Sequence, residues 1–425
     1  MTRIGIASTD ITPQQPVWMT GYGNRDHRSE GVYQSLIAGA ISISGDSDEV
    51  LILTADLIGY DLAYAAAAKN RIADSTGLLP RQVVLTATHT HCAPFFYPMA
   101  MPGEVEKGYA EFLLNQLVHV AVAAKHQQTE GRVAFSRGRS EFGVSRRLPD
   151  GEGGVRFAPN PDGPMDRDLD TLWFSNTGGE LLGSLTIFGC HPTSRGGYML
   201  GGDYPGFLCR ALSEQTQAPS FFATGCAGNI RPWFKDENDG FNTPSLEELE
   251  SASRRIAHEV MQSRPSATLV NTEGLRTTSE FHPLPYAELP DEGTFRDKAE
   301  NHTNPLHRHW ASEMLKLSEV GGLPSSCPQE IQVVQFNEEM QAVFLGGEVL
   351  AEIGLHIKSA LQPTTTITVA YSNGLIAYVP SKETYDLGGY EVDGSHFYFL
   401  RPAPFAKEIE DLIVTKTVDI VKKAG

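Results

Sequence analysis

The sequence predicts an α/β protein in which mixed β-sheets are flanked by α-helices in a layered sandwich. Short apolar runs of strand length recur through the 425 residues. Segments of helical periodicity fill the gaps between them. Glycine and proline, 41 and 26 in number, are spread along the whole length, so no linker cuts the chain. The amino-terminal run Arg3-Ile4-Gly5-Ile6 leads straight into a strand-like segment. Buried strands are then predicted at Val50 to Ala55, Val83 to Thr88, Ser184 to Gly189, Ser220 to Thr224, Ala342 to Leu345 and Thr365 to Tyr371. The clearest helix is Ser245 to Gln262: Ser245 and Glu248 make a capping box, and Leu249, Ala252, Ile256 and Val260 recur on one face. Further helices are predicted from Asp61 to Asp74, Glu104 to His126, Glu348 to Leu361 and Pro404 to Lys422.

Two regions depart from this alternation. Residues 139 to 168 are rich in Gly, Pro, Asp and Arg without periodicity and read as a long irregular loop of the kind that carries function. Residues 280 to 326 are polar, contain His302, His307 and His309, and read as an exposed helical insertion with solvated histidines. Length alone allows about two or three domains, but with no repeat and no linker the expectation is a single domain over residues 1–425.

Charge and composition narrow the partners. The chain carries 34 Lys plus Arg against 52 Asp plus Glu, a net −18. No basic run is longer than a pair such as Arg146-Arg147, so a nucleic-acid partner is not expected and an anionic membrane is disfavoured. The longest apolar windows, such as Leu113 to Ala124, fall short of the roughly 20 residues that a membrane span needs. Five cysteines, an odd number without regular spacing, do not make a disulfide framework. With no signal-peptide pattern at the amino terminus, the expected location is the cytoplasm. The expected partner is a small molecule; the sequence does not set the oligomeric state.

Four candidate metal ligands stand just after predicted strands, where open α/β sheets bind their ligands. In Ala87-Thr88-His89-Thr90-His91-Cys92-Ala93-Pro94, two histidines at i and i+2 on an extended chain point to one face. His191 follows an apolar run in Phe188-Gly189-Cys190-His191. Glu348 opens a helix after Leu345-Gly346-Gly347. Tyr378 lies in Ile376-Ala377-Tyr378-Val379-Pro380. Two imidazoles and a carboxylate with one open position describe a catalytic zinc site, where bound water has a pKa of about 7 and a carbonyl is polarised. A strand-end histidine also serves as a hydrogen-bonded structural residue, so spacing alone leaves the metal open.

Several segments resemble the catalytic domain of the neutral, non-lysosomal ceramidases, zinc-dependent amidases that split ceramide into a fatty acid and sphingosine. Ala7-Ser8-Thr9-Asp10-Ile11-Thr12-Pro13 and Met19-Thr20-Gly21-Tyr22 resemble the family's ADIT and MxGY segments. Thr54-Ala55-Asp56-Leu57, Ala87 to Pro94 and Val144-Ser145-Arg146 continue the likeness. Ala227-Gly228-Asn229-Ile230-Arg231-Pro232 is similar to AGDVSP, Gly347-Glu348 to PGE, and Tyr378 to Tyr390 to Y-x11-Y. The order is kept from about residue 4 to residue 391. The resemblance implies a ceramidase-like catalytic domain holding one Zn2+ on His89, His191, Glu348 and Tyr378. It further implies His91 as general acid or base, Tyr390 as donor to the oxyanion and Arg146 as a substrate-positioning group. Such roles suit an imidazole that titrates near neutrality and a phenol aimed at developing charge.

The departures shape the expected reaction. The family's usual members are longer, secreted or membrane-facing, and carry a carboxy-terminal β-sandwich domain, which this chain is expected to lack. Gly225-Cys226 replaces their Ser-Asn and Asn229 replaces an aspartate, which favours attack by metal-activated water. The expected activity is therefore hydrolysis of an amide in a small or medium N-acyl compound other than ceramide. An esterase or lactonase at the same site, an Fe(II) site, and a ligand-binding protein without turnover are the alternatives.

Smaller signals have structural readings. Cys226 is expected to pack rather than to act as a nucleophile. Cys92 and Cys190 are expected to point away from the histidines beside them. Glu348, Glu352 and His356 recur at i, i+4 and i+8, with Glu352 and His356 expected on the polar side of a helix. Asp56 is a candidate to orient a ligand histidine. No Walker loop, dinucleotide fingerprint, serine-hydrolase elbow or HExxH is present.

Overall fold

In the computed structural model, which describes residues 1–424, one large sheet runs in the order Ser220–Thr224, Leu181–Phe188, Asp168–Asn176, Thr129–Arg139, Arg3–Asp10, Ile37–Ser44, Glu49–Ala55, Val83–Ala87. Thr268–Val270 pairs alongside Thr129–Arg139. The pair at each end is parallel and the pairs between are antiparallel. A second sheet orders Arg276–Pro285, Ser326–Gln335, Met340–Leu345 and Thr365–Val369, with its last pair parallel. The mixed α/β class is the one expected.

The apolar strands are continuous because they are buried on both faces. Val50, Ile52 and Val84 join an inter-sheet core with Phe344 and Val369. Their neighbours Leu51, Leu53, Val83 and Leu85 face a helix-side core with Ile72 and Leu117. Alternation along each strand divides them so. Helices pack outside in pairs: Leu62–Thr76 with Lys107–His126, Asp203–Thr216 with Leu246–Ser263, and Ala351–Ala360 with Ile409–Ala424, the last pair on the second sheet. The capping box of Ser245 and Glu248 is present, and Asp61 caps its helix by accepting from the Tyr64 N–H at 2.6 Å.

The large sheet curls until its ends meet. The Thr54 hydroxyl donates to the Phe222 carbonyl, and Thr224 Oγ1 donates to the Thr88 carbonyl at 2.6 Å. The carboxyl ends of both parallel pairs therefore open onto one crevice, the place where such sheets bind ligands.

Three expectations are corrected. Residues 139–168 are not an irregular loop: Gly143–Pro149 and Val155–Asn160 form a hairpin, completed by Ile230–Pro232. Asp150 closes its turn by accepting from the Glu152 and Gly154 N–H groups at 2.8 and 2.9 Å. Its strands are polar because they line a site, so they lack a hydrophobic period. Of residues 280–326, the first part completes the Arg276–Pro285 strand, and the helices Glu292–Asn301 and Pro305–Gly321 bury Phe295, Trp310 and Met314 against Ala100 and Phe397. His307 stacks on Phe397 at 3.8 Å and His302 on His307 at 4.2 Å, so only His309 of the three is exposed. Glu348 does not open a helix: Glu348–Val349 is a short strand and the helix begins at Ala351.

A buried ion pair pins the first helix to the second sheet. Lys69 donates to Glu330, which also accepts from Ser279, while Gln332 Oε1 takes a further Lys69 hydrogen at 3.3 Å. Lys69→Ala should lower unfolding free energy by about 3–5 kcal/mol, because Glu330 is left buried without its partner. The double variant Lys69→Met/Glu330→Leu should recover most of it, as read by urea denaturation. No helix among the described residues is long and apolar enough to cross a membrane.

Candidate metal centre and active site

Three histidines converge where the strand ends meet. His89 Nε2 lies 2.9 Å from His191 Nε2 and 3.4 Å from His91 Nε2. Glu348 Oε2 stands 3.2 Å from His89 Nε2 and 3.4 Å from His191 Nε2. All four side chains are buried. The pairing of His89 with His91 does not come from strand alternation, as the spacing predicted. His89 sits in the left-handed region at φ 64, and this turn of the chain brings both rings to one point.

Backbone carbonyls decide which nitrogens face the centre. His89 Nδ1–H donates to the Ile58 carbonyl at 2.5 Å, His91 Nδ1–H to Gly21 at 2.9 Å, and His191 Nδ1–H to Ala227 at 3.1 Å. A carbonyl only accepts, so each Nδ1 carries a proton and each ring is turned with its Nε2 toward the centre. Burial, with His89 adding to it, pushes the pKa of His91 and His191 well below the usual imidazole value, the neutral form a metal needs. Three Nε2 atoms thus face one another and a carboxylate oxygen that accepts no hydrogen bond. Such a cluster is satisfied by a cation. Bonds of about 2.0–2.1 Å to a tetrahedral zinc place neighbouring donors about 3.3 Å apart, and the separations among His89, His191 and Glu348, 2.9–3.4 Å, are near that spacing.

Glu348 and Tyr378 arrive together because they are register partners in a two-stranded parallel sheet, which puts both on one face. Gly347 makes the approach possible: at φ 93, a Cβ there would lie 2.8 Å from the Ala377 carbonyl. Gly21 likewise has to be bare, since its Cβ would meet the His91 ring at 2.7 Å. The Tyr378 ring lies parallel to that of His191 at 6.5 Å. Burial and Glu348 raise the Tyr378 phenol pKa, and Arg146 opposes them.

Arg146 donates from Nη2 to the Tyr378 oxygen at 3.1 Å and from Nε to Glu391 Oε1 at 2.8 Å. Arg147 takes the other Glu391 oxygen at 2.6 Å. Tyr390 meets the Tyr378 ring edge-on at 5.3 Å and lies under the Arg146 guanidinium, the residue 43% exposed at the rim. All seven residues singled out from the sequence, His89, His91, Arg146, His191, Glu348, Tyr378 and Tyr390, therefore occupy one neighbourhood.

The flanking residues sort differently from expectation. Asn229 Nδ2 donates to both oxygens of Glu352 at 3.1 and 2.9 Å, while its Oδ1 accepts from the Ala351 N–H at 3.0 Å. This amide holds the segment that carries Glu348; an aspartate would set two carboxylates together. Glu352 is therefore buried rather than on a polar face, and half-exposed His356 pairs with Glu410 at 2.5 Å. Asp56 accepts from the Thr88 hydroxyl and the Ile37 N–H and orients no imidazole directly; burial lifts its pKa to about 6. The Cys226 thiol packs beneath Gly354, and burial pushes it up to about 12, which does not suit a nucleophile. Cys92 and Cys190 are buried outside the histidine cluster.

Sequence reasoning missed Glu391, Tyr371 and the three acceptor carbonyls. Glu391 had a signal, as the one acid directly beside Tyr390. Tyr371 lies 4.1 Å from the His89 ring with its hydroxyl 3.3 Å from His191 Nδ1, at the end of a strand that looked only structural.

No family model and no curated protein sequence matches the chain. Among solved structures, neutral ceramidase from Pseudomonas aeruginosa superposes with a TM-score of 0.76 at 19% identity, over 99% of this chain and 74% of that one. A ceramidase complexed with C2 superposes equally, at a TM-score of 0.76 and 18% identity, with the same coverage. Nearly every described element thus has its counterpart in those enzymes, and the chain has the neutral ceramidase fold.

Proposed function

We propose that the protein is a zinc-dependent hydrolase of an amide bond in an N-acyl compound. The observation that carries this reading is the meeting of three Nε2 atoms, on rings anchored through Nδ1 by backbone carbonyls, with a Glu348 oxygen that accepts no hydrogen bond. His89, His191 and Glu348 would hold the ion, with Tyr378 as a fourth oxygen ligand. When bound, the ion supplies Lewis acidity, which polarises a carbonyl and makes water a nucleophile near neutral pH.

The chain's own residues would do the rest. His91 is anchored through Nδ1 by Gly21, so its Nε2 is free to take a proton and deliver it to the leaving amine. Tyr390 stands at the open rim, where its hydroxyl reaches an incoming carbonyl oxygen. Arg146 is held rigid by Glu391 and fixes the Tyr378 oxygen. Five unpaired cysteines support a cytoplasmic setting. The likeness to ceramidases supports amide chemistry at this crevice; the net charge of −18 supports a substrate other than one presented by an anionic membrane.

Metal analysis of the purified protein should find about one zinc per chain, as four donors imply. A panel of N-acyl amines should be hydrolysed, the activity should disappear with a chelator, and it should return with Zn2+. Cleavage of esters or lactones alone would change the reaction class; a metal-free protein that cleaves amides in the presence of chelator would overturn the reading.

A further inference from the structure

Two guanidinium groups stand at the edge of the site, and only one of them has a carboxylate partner, which it shares with Arg147. Arg146 is paired with Glu391. Arg231 lies on the neighbouring strand, opposite Val144 in the register. Its guanidinium sits over the Phe241 ring at 4.4 Å and the Phe157 ring at 5.3 Å, and the Phe157 ring also carries Arg146 at 5.8 Å. One Arg231 nitrogen donates to the Thr193 carbonyl at 3.2 Å, two residues beyond His191. Its Nε–H is buried and has no acceptor.

No aspartate or glutamate forms an ion pair with Arg231 among the described residues. Asp203 acts on it only at a distance, and its oxygens are already taken by the Arg195 and Tyr204 N–H groups. Arg146 and Tyr22 are both within electrostatic reach, and the Tyr22 ring is 4.9 Å from that of His91. In a chain of net charge −18, an arginine left without a counter-ion beside the reacting centre is open to an anion from outside. The surroundings specify the rest of that ligand. Phe157 is 60% exposed, and with Phe241 and Tyr390 it makes an aromatic rim for an apolar chain.

Resting on the amide-hydrolase reading above, we propose that Arg231 sets substrate class: it receives the carboxylate of an N-acyl compound that bears one negative charge near the scissile amide. Two substrate designs share this chemistry. In an N-acyl amino acid the carboxylate is on the amine; in the monoamide of a dicarboxylic acid it is on the acyl chain.

The test compares N-octanoylglycine, adipic acid mono-octylamide and uncharged N-octanoylethanolamine, on the wild type and on Arg231→Gln and Arg231→Lys, with the zinc-loaded protein. Both kcat and KM are measured, and binding of each compound is followed by calorimetry whether or not it turns over. The wild type should prefer one of the charged amides to the neutral one by at least tenfold in kcat/KM. Arg231→Gln should erase that preference through KM, and Arg231→Lys should restore part of it. Which charged amide is preferred tells the amine side from the acyl side. Cleavage of all three amides with no selectivity dependent on Arg231 overturns this inference and leaves the hydrolase reading standing. Tighter binding of a charged compound, lost in Arg231→Gln but without turnover, upholds the inference and overturns the hydrolase reading. Equal binding of charged and neutral compounds by wild type and variant overturns the inference as well.

Discussion

His89→Ala should leave a folded protein that neither retains its metal nor hydrolyses amides. His89 Nε2 is the donor closest to all the others, at 2.9 Å from His191, 3.2 Å from Glu348 and 3.4 Å from His91. Its removal takes away the centre of the cluster rather than an edge. The Ile58 carbonyl also loses its donor, so a stability loss of about 1–3 kcal/mol is expected alongside. Atomic emission on the purified variant should show well under one zinc per chain, and thermal melting should show a single cooperative transition. Full metal content with undiminished turnover in this variant would mean that the cluster is not the metal site.

His91→Ala should part the two properties that His89→Ala loses together. His91 is the outermost imidazole, anchored to Gly21 and packed against Tyr22. As the proton carrier it should lower kcat by roughly 10²–10⁴-fold while the metal stays. Measuring zinc and kcat on the same preparation decides the point. Loss of the metal would make His91 a third imidazole ligand, a role its 3.4 Å distance from His89 also fits. The proton would then have to come from another group at the rim, where Tyr22 packs against His91 and Tyr390 against Tyr378.

Much of this arrangement was legible beforehand, for local reasons. The Ser245–Glu248 capping box and the repeat of Leu249, Ala252, Ile256 and Val260 mark a helix by short-range chemistry, and the helix appears at Leu246–Ser263. Ser220–Thr224 is a strand with the predicted bounds, because a short apolar run in a doubly buried position has few other solutions. The hairpin at Gly143–Asn160 was not legible. Its strands owe their residues to the site they line, with Arg146 and Arg147 turned inward onto Glu391, and such strands carry no apolar alternation.

The residues of the candidate site were open to the sequence as well, since imidazoles, a carboxylate and phenols at strand ends are side-chain identities that any reader of the chain can see. What only the tertiary structure decided is which atoms of those residues face one another. That choice rests with the Ile58, Gly21 and Ala227 carbonyls, which take the three Nδ1 protons, and with the left-handed turn at His89. Every residue has a carbonyl, so no pattern of residue types marks the three that serve. The same holds for Arg231, whose lack of a counter-ion follows from packing among segments far apart in the chain. Composition lists the charges, whereas three-dimensional neighbours determine which of them remain unmatched.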